Sequence, residues 1–174
     1  MINSKLINWV LFLTLCLIWG SSFILMKISR AHLTGVQIAS LRIFSAGAIL
    51  IPFGIVHISK IPHTKILPVI ATGFTGNLLP AFMYALAIAN GLDSSLSAIL
   101  NSLTPICVVI IGFIFFKNKI SGSKLTGIVV GFTGLCLLFF NRNMDFQNSH
   151  FALLVLVAAI SYGFNVNFVS HFLK

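Results

Sequence analysis

The sequence predicts an all-α integral membrane protein of about six transmembrane helices. Uncharged apolar runs near 20 residues long recur along the 174-residue chain, 58% of its residues are hydrophobic against 7% charged, and its mean hydropathy is +1.07. An ordinary soluble domain carries about 25% charged residues. Runs of this length match a hydrocarbon core about 30 Å thick, where a helix satisfies its backbone polar groups internally.

The first span is expected at about Ile7 to Ile28, the second at Val36 to His57 and the third at Ile66 to Ala89. The fourth begins at Asp93 and ends near Phe116, the fifth covers Leu125 to Phe140 and the sixth Phe151 to Phe172. The first run has the positive start and apolar middle of a signal peptide. It extends past Trp19 to Ile28 without an A-x-A cleavage pattern, so it reads as a retained helix. Between the third and fourth spans, Asn90-Gly91-Leu92-Asp93 predicts a tight hairpin, with Gly91 as a C-terminal cap and Asp93 as the N-cap of the next helix.

The net charge of +9 arises from 11 Lys and Arg against two acids, Asp93 and Asp145. The cations stand singly or in small groups between apolar runs, with no basic stripe interleaved with aromatics, and this argues against a nucleic-acid partner. It fits membrane loops instead. With the amino terminus cytoplasmic, Lys5, Lys60, Lys65, Lys117, Lys119, Lys124 and Lys174 all fall inside, leaving Lys27, Arg30 and Arg142 outside.

Cys16, Cys107 and Cys136 sit within apolar runs as small hydrophobes, and the five histidines are scattered. No metal site, cofactor motif or catalytic arrangement is expected: the chain has neither a G-x-x-x-x-G-K-S/T phosphate loop nor H-E-x-x-H. Gly127-x-x-x-Gly131 and Gly134 in the fifth span, like Gly73 and Gly76 in the third, are expected at close helix contacts, either within the monomer or at a dimer contact.

Polar residues within spans mark either a water-filled path or a helix contact. Ser94, Ser97, Asn101 and Thr104 fall on one face of the fourth span beside Pro105, and Asn77, Pro80 and Tyr84 repeat that spacing in the third. Facing each other, two proline-interrupted stripes would line a central cavity. Trp19 and Ser22 in the first span, with Tyr162 and Asn165 in the sixth, are candidates to complete its wall. Arg42 stands about 9 Å into the second span at ~1.5 Å per residue. Pairing with Asp93 or snorkelling is favoured for it; left unpaired, it would attract an anionic group such as a carboxylate. Lys27 and Asp93 are expected near the same end.

Trp19-Gly20-Ser21-Ser22 also aligns with Tyr162-Gly163-Phe164-Asn165, placing an aromatic-glycine pair at equal depth in the first and sixth spans. A repeat of five spans, an odd number, gives its second copy the opposite orientation, as in inverted-repeat transporters.

Together, Trp19-Gly20-Ser21-Ser22-Phe23 with Lys27, Arg42, Leu103-Thr104-Pro105, and Gly127 with Gly134 resemble the EamA family of the drug/metabolite transporter superfamily. The resemblance implies ten spans in a typical member, with residues 1–143 here as one complete five-helix repeat. Residues 144–174 would be the opening helix of a second repeat, four helices short. The family's glutamate after the fourth span is absent, and the place reads Lys117-Asn118-Lys119. The implied function is alternating-access export of small metabolites or amino-acid-like solutes across a bacterial inner membrane. The expected partners are the lipid bilayer, a small solute, and either the missing half or a second copy, although the lysine asymmetry argues against dual orientation. The alternative is a non-transporting membrane module or assembly partner whose polar faces serve helix packing.

Overall fold

The computed structural model describes residues 4–140 and 148–173, all of them in helices or short connections. Helix α1 spans Ser4–Ser29 and α2 spans Gly35–Ile58. The third span comprises α3 (His63–Gly73), a π-helical turn (Phe74–Leu78) and α4 (Leu79–Ala89). The fourth comprises α5 (Ser94–Asn101) and α6 (Thr104–Phe116). Helix α7 covers Gly122–Phe140, and a 3₁₀ turn at Ser149–Phe151 leads into α8 (Ala152–Phe172).

Five of these segments are long and apolar enough to cross a membrane. Helix α7 occupies the place of the remaining expected span; at ~1.5 Å per residue its length is about 28 Å, close to the thickness of the hydrocarbon core. Arg142 and Asp145 lie outside the described residues.

The connections follow local chemistry. Thr34 and Gln37 form a reciprocal capping box at the start of α2. Gly91 adopts φ +99°, open to glycine, and the amide of Leu92 bonds back to the Ala87 carbonyl. Asp93 then accepts the amides of Ser95 and Leu96 at 2.8 and 3.1 Å, so the expected hairpin forms as read. At the opposite end, Lys117 takes a left-handed conformation and the Asn118 amide closes on the Gly112 carbonyl at 2.9 Å, ending α6.

Helix α8 is the hub. It packs along α4 and α6 and touches α3, the π turn and α5. The core joins Met26 of α1, Ile38 and Ala39 of α2, Tyr84 and Ile88 of α4, Leu96 and Leu100 of α5, and Val155 and Ala158 of α8. Small residues permit close approach: a Cβ on Gly163 would stand 2.9 Å from the carbonyl carbon of Cys107, and one on Gly35 would stand 2.9 Å from the Leu86 Cα.

The glycines of α7 make no close contact within the monomer among the described residues. Gly127, Gly131 and Gly134 face open space, as does Gly73, whereas Gly76 packs against Asn165. Much of α1, α2 and α7 is exposed, with apolar side chains facing outward.

Candidate functional site

The π turn and the helix break sit beside the prolines that cause them. In the third span the Leu79 amide reaches back five residues to the Phe74 carbonyl. The next residue, Pro80, has no N–H to continue the pattern, so the Thr75 carbonyl is left without its helical donor. Ser161 of α8 supplies a replacement, its hydroxyl donating to Thr75 O at 2.7 Å. A polar side chain on the hub thus satisfies the defect that the proline creates.

The fourth span is interrupted by the same chemistry. Pro105 cannot donate to the Asn101 carbonyl, and the chain tightens into three-residue bonds, Ser102 N to Ile99 O and Leu103 N to Leu100 O, both 3.0 Å. Helix α5 therefore stops at Asn101 and α6 starts at Thr104.

A polar and aromatic cluster lies against this break. The Tyr84 hydroxyl donates to Asn101 Oδ1 at 2.5 Å, and the Thr104 hydroxyl donates to the same oxygen at 3.3 Å. Phe23 meets the Tyr84 ring edge-on at 5.5 Å, and Tyr162 lies tilted beside it at 6.5 Å. Helices α1, α4, α5 and α8 thus converge on a phenol that is only 5% exposed.

The charged candidates Lys27, Arg42 and Asp93 lie toward the end of the bundle that holds the Asp93 hairpin. Lys27 pairs with Asp93 at 3.8 Å, both half-exposed. Partial burial pushes the Asp93 carboxyl up, but amide hydrogen bonds from Leu96 and Ser95 and the Lys27 charge outweigh it and hold the group below the usual carboxylate range. Arg42 does not pair with Asp93, one of the two arrangements, pairing or snorkelling, that the sequence favoured; its Nη1 donates to Met26 Sδ at 2.8 Å. Asp93 is committed elsewhere because the α5 N-terminus and the α1 lysine reach it first.

These interrupted helices and the shared polar cluster are found in a chain whose residues 7–140 match the model of the EamA-like transporter family. The chain belongs to that family. It is 28% identical over 158 residues to an uncharacterized transporter of Archaeoglobus fulgidus, covering 88% of this chain and 54% of the relative. It is 26% identical over 153 residues to the uncharacterized inner membrane transporter YedA of Escherichia coli K12, covering 86% of this chain and 49% of that protein. The chain spans about half the length of the curated relatives it matches. No solved structure matches it. It is a multi-pass membrane protein of a transporter family.

In this EamA chain, Tyr84, Asn101, Thr104 and Tyr162 come together, and Ser97 lies on their side of α5, fully buried. Ser22 is half-buried on α1. Asn165 lies apart from the Tyr84 cluster, accepting from the Thr75 hydroxyl at 3.2 Å over Gly76. Trp19 is 67% exposed and joins no described side chain of the cluster; α1 is apolar on all sides, so its sequence does not select a packed face. Asn77 is exposed too. It lies inside the π turn, whose extra residue breaks the spacing that would have set it above Tyr84.

Sequence reasoning missed Asn167. Only 6% exposed, it donates to the carbonyls of Val108 and Gly163, both at 2.8 Å, and accepts from Asn118 Nδ2 at 2.9 Å. An asparagine three-quarters along an apolar helix was its available signal. A cleft of about 500 Å³ lined by Arg30, His32, Thr34 and Asn90 sits over the helix ends and does not include Tyr84. Among the described residues no group of three His, Cys, Asp or Glu could hold a metal.

The Ser97 hydroxyl has no hydrogen-bond partner among the described residues, although it is 0% exposed. Ser97→Ala is therefore expected to leave the stability unchanged or raise it by up to about 1 kcal/mol, read as an unchanged or higher thermal midpoint of the detergent-purified protein, because it removes an unsatisfied buried group. A fall in the midpoint would mean that the hydroxyl has a partner.

Proposed function

We propose that this chain forms one side of a secondary transporter that moves small metabolites or amino-acid-like solutes by alternating access. The observation that carries the reading is the Tyr84–Asn101 hydrogen bond at 2.5 Å, placed where two adjacent spans are both interrupted beside a proline. Non-helical backbone at membrane depth is tolerated where it lines a cavity or is buried in protein, and transporters place their substrate sites at such breaks. Outward transport, a bacterial inner membrane and a cytoplasmic amino terminus are parts of this proposal. The inner-membrane relative and the lysine distribution support the last two.

Residues 1–143 act in this reading as a first five-helix repeat and residues 144–174 as the opening helix of a second. The exposed faces of α1, α2 and α7 support a requirement for further helices, whether from a longer chain or a second copy. One repeat walls only half of a pseudo-symmetric cavity.

The test is solute flux in proteoliposomes, screened with a pool of radiolabelled amino acids and small metabolites. Tyr84→Leu and Asn101→Leu are expected to lower the initial rate at least tenfold while protein insertion is retained. Flux that persists unchanged in both variants would remove the cluster from the transport path. No flux from the wild-type protein under any gradient would favour the packing-module reading, which the fully bonded Asn167 supports.

A further inference from the structure

The packed face of α2 consists of Gly35, Ile38 and Ala39, all buried against the bundle near the Asp93 end. Arg42 continues that face at i+3 and i+4 from the last two, yet it is exposed. The contact between α2 and its neighbours therefore opens at the guanidinium. From Gly35 to Arg42 is about 10 Å along the helix at ~1.5 Å per residue, well inside the span.

The arginine reaches to α1, where the Met26 thioether, a neutral and weak acceptor, takes one of its five N–H donors. Met26 belongs to the packed cluster that includes Tyr84, with Phe23 and Tyr162 against it, so the guanidinium borders that cluster. Among the described residues no carboxylate meets it: Asp93 is held by Lys27 and by the amides of Ser95 and Leu96. An arginine within a span keeps its charge and demands an anionic or strongly polar partner.

We propose that Arg42 is the anion-recognition residue of this site and binds the carboxylate of a monoanionic or zwitterionic solute, with the Tyr84, Tyr162 and Phe23 rings as an apolar wall for the remainder of the solute. This rests on the transporter reading and names its substrate class. A guanidinium fork matches a carboxylate in geometry. Its single positive charge balances a single negative one, since the neighbouring cation, Lys27, is already neutralised by Asp93. A phosphate dianion, whether free or on a lipid, would leave an uncompensated charge inside the span.

The experiment is a ligand-dependent thermal shift on the full chain in lipid nanodiscs. The probes are L-leucine, L-phenylalanine and butyrate, each set against its carboxamide, with inorganic phosphate as a separate arm. The expected result is stabilisation of the wild-type protein by at least one carboxylate and not by its amide. Arg42→Gln should weaken that apparent affinity about ten- to hundredfold, the range for loss of a charge-assisted hydrogen bond. Arg42→Lys should recover part of it, having charge without the fork.

Equal shifts from acid and amide, a carboxylate response that survives Arg42→Gln, a larger shift from phosphate, or no shift from any carboxylate would each overturn the assignment. Failure here is distinct from failure of the transporter reading. Neutral solutes that bind and cross proteoliposomes leave transport standing and remove Arg42 from recognition; absence of all flux removes both.

Discussion

Gly163→Val is expected to destabilise the protein by about 3 kcal/mol or more, enough to lower its recovery in folded form from the membrane. The position lies where α8 and α6 approach most tightly: an added Cβ would stand 2.9 Å from both the carbonyl carbon and the Cβ of Cys107, and 3.0 Å from Ile111 Cδ1. Backbone on the opposing side cannot swing away as a side-chain tip would. The two helices must separate, and α8 holds most of the other contacts in the bundle. Gly54→Ala on α2 supplies the contrast, because nothing stands within 4 Å of a Cβ there. That variant should be neutral or stabilised by up to about 1 kcal/mol through helix propensity. Equal thermal midpoints for Gly163→Val and Gly54→Ala would show that α6 and α8 are not in contact at this point.

The second large effect is expected at Asn167→Leu, with a loss of about 2–3 kcal/mol. Leucine matches asparagine in branching and in number of heavy atoms but is bulkier, so the change removes the hydrogen bonds and adds some overpacking. One donor hydrogen of Asn167 ties α8 to the Val108 carbonyl of α6 and its acceptor takes Asn118 Nδ2 beyond the end of α6, while the other donor bonds Gly163 O one turn back in α8. Interhelical hydrogen bonds in membrane proteins average about 0.6 kcal/mol and reach about 1.7. Two lost together, with the Asn118 amide left unpaired, add to the stated range. Asn118→Ala removes one bond near an exposed loop and should cost less than about 1 kcal/mol. Unfolding of purified protein by increasing SDS fraction measures both; a smaller effect at Asn167 than at Asn118 would contradict the buried network.

The positions of the helices were legible because burial in hydrocarbon demands long uninterrupted apolar runs. The expected second span at Val36 to His57 and the observed α2 at Gly35–Ile58 differ by a residue at each end. The hairpin at Gly91 and Asp93 was legible for a local reason, since its caps are side chains acting on their own neighbours. What escaped was rotation about each helix axis. A helix surrounded by apolar residues gives no contrast between the face toward lipid and the face toward protein, so Trp19 stood among the site candidates although it faces outward.

The same ambiguity hid Gly163 against Cys107 and left Gly127, Gly131 and Gly134 expected at contacts the described residues do not make. Of the candidate site, the Tyr84 and Asn101 partnership followed from matched stripes on hairpin partners. The Lys27–Asp93 pair did not, because the sequence placed Lys27 near the same end but offered Arg42 as the partner of Asp93. Nothing in Phe74-Thr75-Gly76-Asn77-Leu78 distinguishes a π turn from a regular helix except the proline two residues on.

That turn behaves as a one-residue register adjuster. An α-helix advances about 100° per residue, so accommodating one extra residue in a turn rotates all that follows relative to all that precedes. Thr75 and Gly76 can therefore address Asn165 and Ser161 while Tyr84, farther along the same span, addresses Asn101. Deleting a single residue between Phe74 and Leu78 would yield a smoother helix in which only one of those two meetings survives, making the third span a phase-sensitive ruler whose length, counted in residues, is itself under structural constraint.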